Sequence, residues 1–304
     1  MSTTIRKSTE KINIDSLVRV DVALAPFSTF HTGGSADFFA QPADEEELRV
    51  LVKWAYESHT PVTVLAGGSN VLISDDGVEG LVISTLKLKS FHVRGILFVA
   101  QVGLNLDEAI TYSIERSLSG LEALGGLPGT IGGAVFGNAA SRGVALGSLV
   151  EWVDYLDEKG SIHRYFGIDG GFSYKESPFK GTTHIMTQVA LRLIPNKNTS
   201  EARLQKEQAK NERLASGQFE FPSAGCMFKN PHHQSAGELI DLSSLKGKKV
   251  GGAVVSSNHA NFIVNPKGKA TSNDIYELMN IVKEQVEKKQ KVILDPEIRL
   301  IGRW

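Results

Sequence analysis

The sequence predicts an α+β fold. Strand and helix patterns are mixed along the chain, several strands come in hairpin-like pairs, and regular βαβ units are few, which disfavours a doubly wound parallel sheet. A length of 304 residues corresponds to two domains or three small ones. With 41% apolar and 22% charged residues, there is enough apolar material for sizeable cores.

The elements follow in order. Residues 18–24 alternate as a strand, and residues 26–35 form a loop. Asp44 with Glu47 reads as a helix N-cap and its capping-box partner. Leu48, Leu51, Val52 and Ala55 then make one helical stripe, which Pro61 ends. A short apolar strand over 62–66 runs into Gly67-Gly68-Ser69-Asn70, and residues 71–73 and 81–83 are β-like. Residues 97–102 form a strand, and Leu106, Ala109, Ile110 and Ile114 form a helical face. β-like runs at 151–156 and 184–194, a polar linker at 195–200 and a mostly polar helix at 201–216 come next. Ile275, Leu278, Met279, Val282 and Val286 mark an amphipathic helix, and residues 291–301 form a last strand interrupted by Pro296.

Composition excludes several functions. A formal charge of −1 lacks the basic excess of a general nucleic-acid binder. The single cysteine, Cys226, excludes an intrachain disulfide and a Cys-rich metal centre. No apolar run reaches about 18 residues, so no membrane span is expected. Residues 1–10 lack the apolar stretch of a signal peptide, and a cytoplasmic setting is expected. The pair His232-His233 is isolated in a polar loop, and no metal site is expected. No two glycines are spaced by two, so the Gly-x-Gly-x-x-Gly dinucleotide fingerprint is absent, as is a P-loop.

Glycine is in excess, 30 residues in all, with eight between Gly125 and Gly147. Such clustering marks tight turns or backbone packed against a ligand. The turn Gly67-Gly68-Ser69-Asn70 ends a strand with several N–H groups exposed, a nest suited to a pyrophosphate or simply an ordinary turn. The apolar, glycine-rich segment 124–134 suits contact with something flat or charged, or tight packing between layers. Two such nests without the Rossmann fingerprint favour a flavin held in another way. Residues 172–179 (FSYKESPF) and 223–231 (SAGCMFKNP) each place a cation beside hydroxyl or thiol groups. A lone cysteine such as Cys226 is often only a small buried hydrophobe.

Taken in order, these strings resemble the UDP-N-acetylenolpyruvoylglucosamine reductase (UDP-N-acetylmuramate dehydrogenase) family. The resemblance runs from about Phe27 to Trp304 and includes TFHTGG at 29–34, VSSNHANFIVN at 255–265 and DPEIRLIG at 295–302. It implies a two-part FAD-binding region of the vanillyl-alcohol-oxidase (PCMH) type plus a C-terminal α+β substrate-binding domain. The expected parts are 1–84, 85–198 and 199–290, with residues 291–304 returning to the first. The short interval between Lys175 and Cys226 matches the family form that lacks an extra substrate loop. The resemblance also implies NADPH-dependent reduction of UDP-N-acetylglucosamine enolpyruvate to UDP-N-acetylmuramate, in peptidoglycan precursor synthesis, by way of non-covalent FAD.

Matching the family strings residue by residue gives the expected sites. Lys175, Cys226 and Glu297 fall on the catalytic positions: Lys175 and Glu297 stabilise the enolate and Cys226 protonates it. Tyr174, Lys229 and Asn230 fall beside the substrate. Gly67, Gly68, Ser69, Asn70, Pro128, Gly129, Thr130, Gly132, Gly133 and Asn138 fall on the cofactor. Two catalytic positions depart from the family pattern, which has arginine at 175 and serine at 226. Lysine keeps the charge but not the planar fork, and a thiol is a stronger acid than an alcohol, with an ordinary pKa of about 8.5. Further expectations are a UDP-sugar as small-molecule partner, no nucleic acid or membrane partner, and a monomer. Two other readings stay open here, an FAD-dependent sugar or alcohol oxidase of the same cofactor fold and a non-catalytic flavin or UDP-sugar binder. Covalent flavin attachment is disfavoured because residues 125–133 contain no His or Cys, and His59 is the histidine nearest the first nest.

Overall fold

The computed structural model describes residues 12–231 and 234–304. Residues 1–10 and the His232-His233 pair, both discussed above, lie outside the described residues. The chain is α+β. Strands β1 (Val18–Ala23), β2 (Ser35–Ala40), β3 (Val62–Leu65), β4 (Val71–Ile73) and β5 (Val78–Ser84) open the chain. A four-stranded sheet forms in the order β1-β2-β5-β3, with β1 antiparallel to β2 and the other pairs parallel. Strand β2 was not expected. Its Phe38 packs on Trp54 while Phe39 packs on Phe27, so both faces are covered and the alternation that marks a half-buried strand is missing. Helix α1 (Glu45–Glu57) starts as expected. Asp44 is the N-cap, accepting from Glu47 N–H at 2.9 Å, but the Glu47 carboxylate accepts from Ala43 N–H at 2.7 Å and not from the Asp44 N–H that a capping box uses.

The second sheet is fully antiparallel. It contains β6 (Phe91–Arg94), β7 (Leu97–Gln101), β8 (Val150–Leu156), β9 (Ile162–Phe166) and β10 (Ile185–Arg192), in the order β9-β8-β10-β7-β6. Helices α2 (Leu106–Glu115) and α3 (Ile131–Phe136) pack on it. One apolar core joins Leu51 of α1, Ile83 of β5, Phe98 of β7, Ile110 of α2 and Val189 of β10. The two sheets therefore share a core and hold the glycine loops between them in fixed positions.

Helix α4 (Thr199–Ala215) is more than the polar connector its sequence suggests. It buries Ala202, Lys206 and Ala209. The Lys206 ammonium donates to Asp107 at 2.9 Å and to Thr111 Oγ1 at 2.7 Å, while the other Asp107 oxygen accepts from Gly126 N–H at 2.9 Å. Burial opposes the Asp107 charge, but the bonds from Lys206 and Gly126 outweigh it and hold the carboxyl below its ordinary range. The folded-state pKa is depressed, so this stabilisation is present above the ordinary carboxylate pKa and is lost as pH falls through the depressed value. We expect Asp107→Ala to leave Lys206 buried without its carboxylate and to cost about 3 kcal/mol. Denaturant unfolding checks this. The difference from wild type should shrink in acid, and an equal loss at all pH values would count against the ion pair.

The last third has its own core, built from α5 (Ala236–Leu242), β11 (Lys249–Val250), β12 (Ala253–Val255), β13 (Ile263–Val264) and α6 (Ser272–Gln290). Phe30 and Leu72, from the first region, insert into it. The final strand is shorter than expected. Only β14 (Arg299–Ile301) is a strand, parallel to β4. Pro296 lacks an N–H, and its neighbours pair elsewhere, with Glu297 N–H donating to Met227 O and Lys229 N–H to Asp295 O, both at 2.8 Å. That departure brings the Cys226 and Glu297 segments side by side.

Candidate active site

The first glycine turn follows β3. Gly68 has φ +63°, which glycine adopts at no steric cost, and its carbonyl accepts from Thr29 N–H at 3.1 Å. Among the described residues, the amide N–H groups of Gly67, Gly68, Ser69 and Asn70 donate to no protein acceptor. Gly67 lies against Gly129 of the second segment, where a Cβ would stand 2.8 Å from Gly129 Cα. Ser69 Oγ donates to Pro128 O at 3.3 Å. The two loops thus meet at one seam, which forms only because Gly67 carries no side chain, and the first loop presents amides that need acceptors. This fits the pyrophosphate of FAD. Asn70 is turned differently, its side chain donating to Glu297 O at 3.2 Å, so it ties the cofactor turn to the C-terminal segment.

The second glycine segment divides by role. Gly125 and Gly126 carry α4, and a Cβ on Gly125 would stand 2.6 Å from Lys206 O. Thr130 Oγ1 caps α3 by accepting from Gly133 N–H at 3.2 Å. Gly132 is buried, donates its N–H to Val102 O at 2.9 Å and leaves no room for a Cβ beside Val102. Pro128, Gly129 and Gly133 keep surface on the seam. Asn138 is committed to structure. Its amide donates to Ser173 O at 2.7 Å and accepts from Gly147 N–H at 2.8 Å, which anchors the next loop.

That loop is a tight turn closed by reciprocal bonds between Ser173 and Glu176. Tyr174 and Lys175 occupy its centre, and Lys175 has φ +59°, a left-handed conformation unusual for a lysine. The strain is held by Lys180, whose ammonium donates to Lys175 O, and by Ser177 Oγ, which donates to Phe136 O at 2.7 Å. The result directs Lys175 Nζ to within 2.5 Å of Glu297 Oε1, in a pair that is largely shielded from solvent. Tyr174 Oη accepts from Asn230 N–H at 3.2 Å, and Lys229 bridges Glu176 and Asp295.

Cys226 sits between two backbone neighbours. It bridges Phe262 on one side, while Met227 O accepts from Glu297 N–H on the other. Asn261 fixes this strip by gripping the Phe228 peptide, accepting from its N–H at 3.0 Å and donating to its C=O at 2.8 Å. Burial and then the Glu297 charge push the Cys226 thiol up to about 11, against smaller opposing effects of Lys175, Asn261 and Arg213. The thiol is therefore a neutral proton donor across the neutral pH range. Lys175, Cys226 and Glu297, far apart in sequence, form one cluster.

Arg213 was missed in the sequence. It emerges from the last turn of α4, donates to Gly125 O at 3.1 Å and Ser141 Oγ at 2.6 Å, and its charge reaches Cys226. Its only sequence signal is an arginine spaced seven residues beyond Lys206, on the helix face that also carries that buried lysine. Among the described residues, no three His, Cys, Asp or Glu side chains group as a metal-ligand set, and no helix is long and apolar enough to cross a membrane.

Comparison with known proteins agrees with this geometry. Residues 36–165 match the model of an FAD binding domain, and residues 217–301 match the UDP-N-acetylenolpyruvoylglucosamine reductase, C-terminal domain. A UDP-N-acetylenolpyruvoylglucosamine reductase of Synechococcus sp. (strain JA-3-3Ab) is 37% identical over 94% of this chain and 92% of its own length. The Staphylococcus aureus (strain COL) reductase is 33% identical over 94% and 92%. The crystal structure of the Thermus caldophilus reductase superposes with a TM-score of 0.80 at 34% identity, covering 93% of this chain and 99% of that one.

Proposed function

The chain belongs to the UDP-N-acetylenolpyruvoylglucosamine reductase family, and from that premise we propose that Lys175, Cys226 and Glu297 carry its chemistry. It is an FAD-containing, NADPH-dependent oxidoreductase that reduces UDP-N-acetylglucosamine enolpyruvate to UDP-N-acetylmuramate, a step of peptidoglycan synthesis. Within the proposal, its FAD-binding region, matched over residues 36–165, is of the vanillyl-alcohol-oxidase type that the family resemblance implies. Within the proposal, Gly67, Gly68 and Ser69 hold the FAD pyrophosphate, and Pro128, Gly129 and Gly133 face the rest of the cofactor. Asn70, Thr130, Gly132 and Asn138 shape that cradle from behind. In this reading the protein works in the cytoplasm, with a UDP-sugar as its small-molecule partner.

Bound FAD supplies the hydride, which originates from NADPH. The chain must then accept negative charge at the substrate carbon beside the carboxylate and place a proton there. Lys175 supplies a fixed positive charge at the carboxylate, where the enolate develops. Glu297, expected to stabilise the enolate directly, acts in this reading through its neighbours: it aims Lys175 and adds to the rise that burial gives the thiol pKa, so that Cys226 keeps its proton until the enolate forms. The thiolate left behind faces Lys175 and Arg213, whose charges favour it. Tyr174, Lys229 and Asn230 bind the rest of the substrate. The observation that carries this reading is the Lys175–Glu297 pair at 2.5 Å beside a partly buried thiol.

Purified protein should contain about one FAD per chain, released on acid precipitation. NADPH should bleach it, and UDP-N-acetylglucosamine enolpyruvate should restore the colour. Flavin retained on the precipitated chain would refute non-covalent binding, and colour restored by O2 but not by the enolpyruvyl substrate would select an oxidase.

A further inference from the structure

The cation assigned to the substrate is already neutralised from two sides. Lys229 Nζ lies 3.1 Å from Glu176 Oε1 and 2.9 Å from Asp295 Oδ2. These partners come from three segments: Glu176 from the Tyr174–Lys175 turn, Lys229 from the strip after Cys226, and Asp295 from the returning C-terminal chain. An anionic substrate group can engage Lys229 fully only if a carboxylate withdraws. Glu176 is the one that can do so cheaply, because Lys180 stands 3.6 Å from the same Glu176 oxygen on the same loop. A small rotation exchanges one ammonium for the other and leaves no charge unpaired. Asp295 has no other cationic partner among the described residues, so it stays and keeps Lys229 oriented.

Resting on the reading that Lys229 binds substrate, we infer that Glu176 is an internal competitor of the substrate's anionic group, which latches Lys229 until a ligand of sufficient charge displaces it. Glu176 is thereby a specificity-determining residue. A diphosphate brings more charge to Lys229 than the single carboxylate it replaces, whereas an uncharged sugar brings none and leaves the latch closed.

Calorimetric binding of UDP-N-acetylmuramate to the holoenzyme tests this in wild type, Glu176→Gln, Lys229→Gln and the double variant. Because the pair is partly exposed, Glu176→Gln should tighten binding by about 2- to 5-fold at low salt. The gain should shrink at 0.5 M salt, at which the screening length is only about 4 Å. It should vanish in the Lys229→Gln background, which separates a latch on Lys229 from general removal of negative charge. Glu176→Gln binding that is unchanged or weaker, or a gain that persists without Lys229, would overturn the latch. If Lys229→Gln binds as tightly as wild type, Lys229 itself leaves the substrate site and the latch goes with it. If Lys229→Gln weakens binding but Glu176→Gln changes nothing, the latch alone fails.

Discussion

Cys226→Ala should still be bleached by NADPH, yet its re-oxidation by the enolpyruvyl substrate should slow by about 10²–10⁴-fold, the usual contribution of a general acid. Reduction of the flavin requires no proton at the enolate carbon, so only the second half-reaction should suffer. Cys226→Ser should recover most of the loss, since serine offers a hydroxyl proton in nearly the same volume. The position of the thiol adds a pH signature. With its pKa pushed up to about 11, the wild type should show no loss of the second half-reaction near pH 8.5, where an ordinary thiol would ionise. The same shift makes alkylation slow, because the thiolate is the reactive form and is scarce at neutral pH. Slow labelling is therefore consistent with an acid catalyst, and stopped-flow re-oxidation is the decisive measurement. Normal traces in the alanine variant would remove Cys226 from the chemistry.

Lys175→Ala should slow the same half-reaction by about 10²–10³-fold, as expected for loss of one group aimed at developing charge. The variant also leaves Glu297 without its 2.5 Å partner, so a carboxylate then faces the substrate carboxylate uncompensated. Binding of substrate should weaken along with the rate. Lys175→Arg should turn over, because a guanidinium can span both carboxylates with its planar fork. FAD reduction by NADPH should stay close to wild type in both variants. An alanine variant with unimpaired re-oxidation would place the enolate-stabilising charge elsewhere, and Arg213 would be the next residue to replace.

The sequence was informative where a local rule acts. Asp44 and Glu47 open a helix, a 3.6-residue stripe runs through α6, and alternation of Val18, Val20 and Val22 marks β1, because each depends on near neighbours. β2 escaped because burial on both faces erases its period, and the last strand was overextended because Pro296 redirects its neighbours to another segment. The ordered strings were enough to indicate the family and the cofactor, and they put forward Lys175, Cys226 and Glu297, which the fold brings together.

The kind of protein is legible in the chain before it folds, in the order of the family strings and the absence of a Rossmann fingerprint. Folding added the contacts that each of these residues makes. It showed what each glycine lets approach: Gly67 meets Gly129 across the two loops, Gly125 meets Lys206 O of α4, and Gly132 meets Val102. It gave Asn138, expected on the cofactor, bonds to Ser173 and Gly147 that anchor the Lys175 turn. It set the acidity of Cys226, because burial and the nearby charges act through space and belong to segments tens of residues away. A sequence specifies which groups are available; their protonation and pairing depend on distance and desolvation, which exist only once the chain has folded.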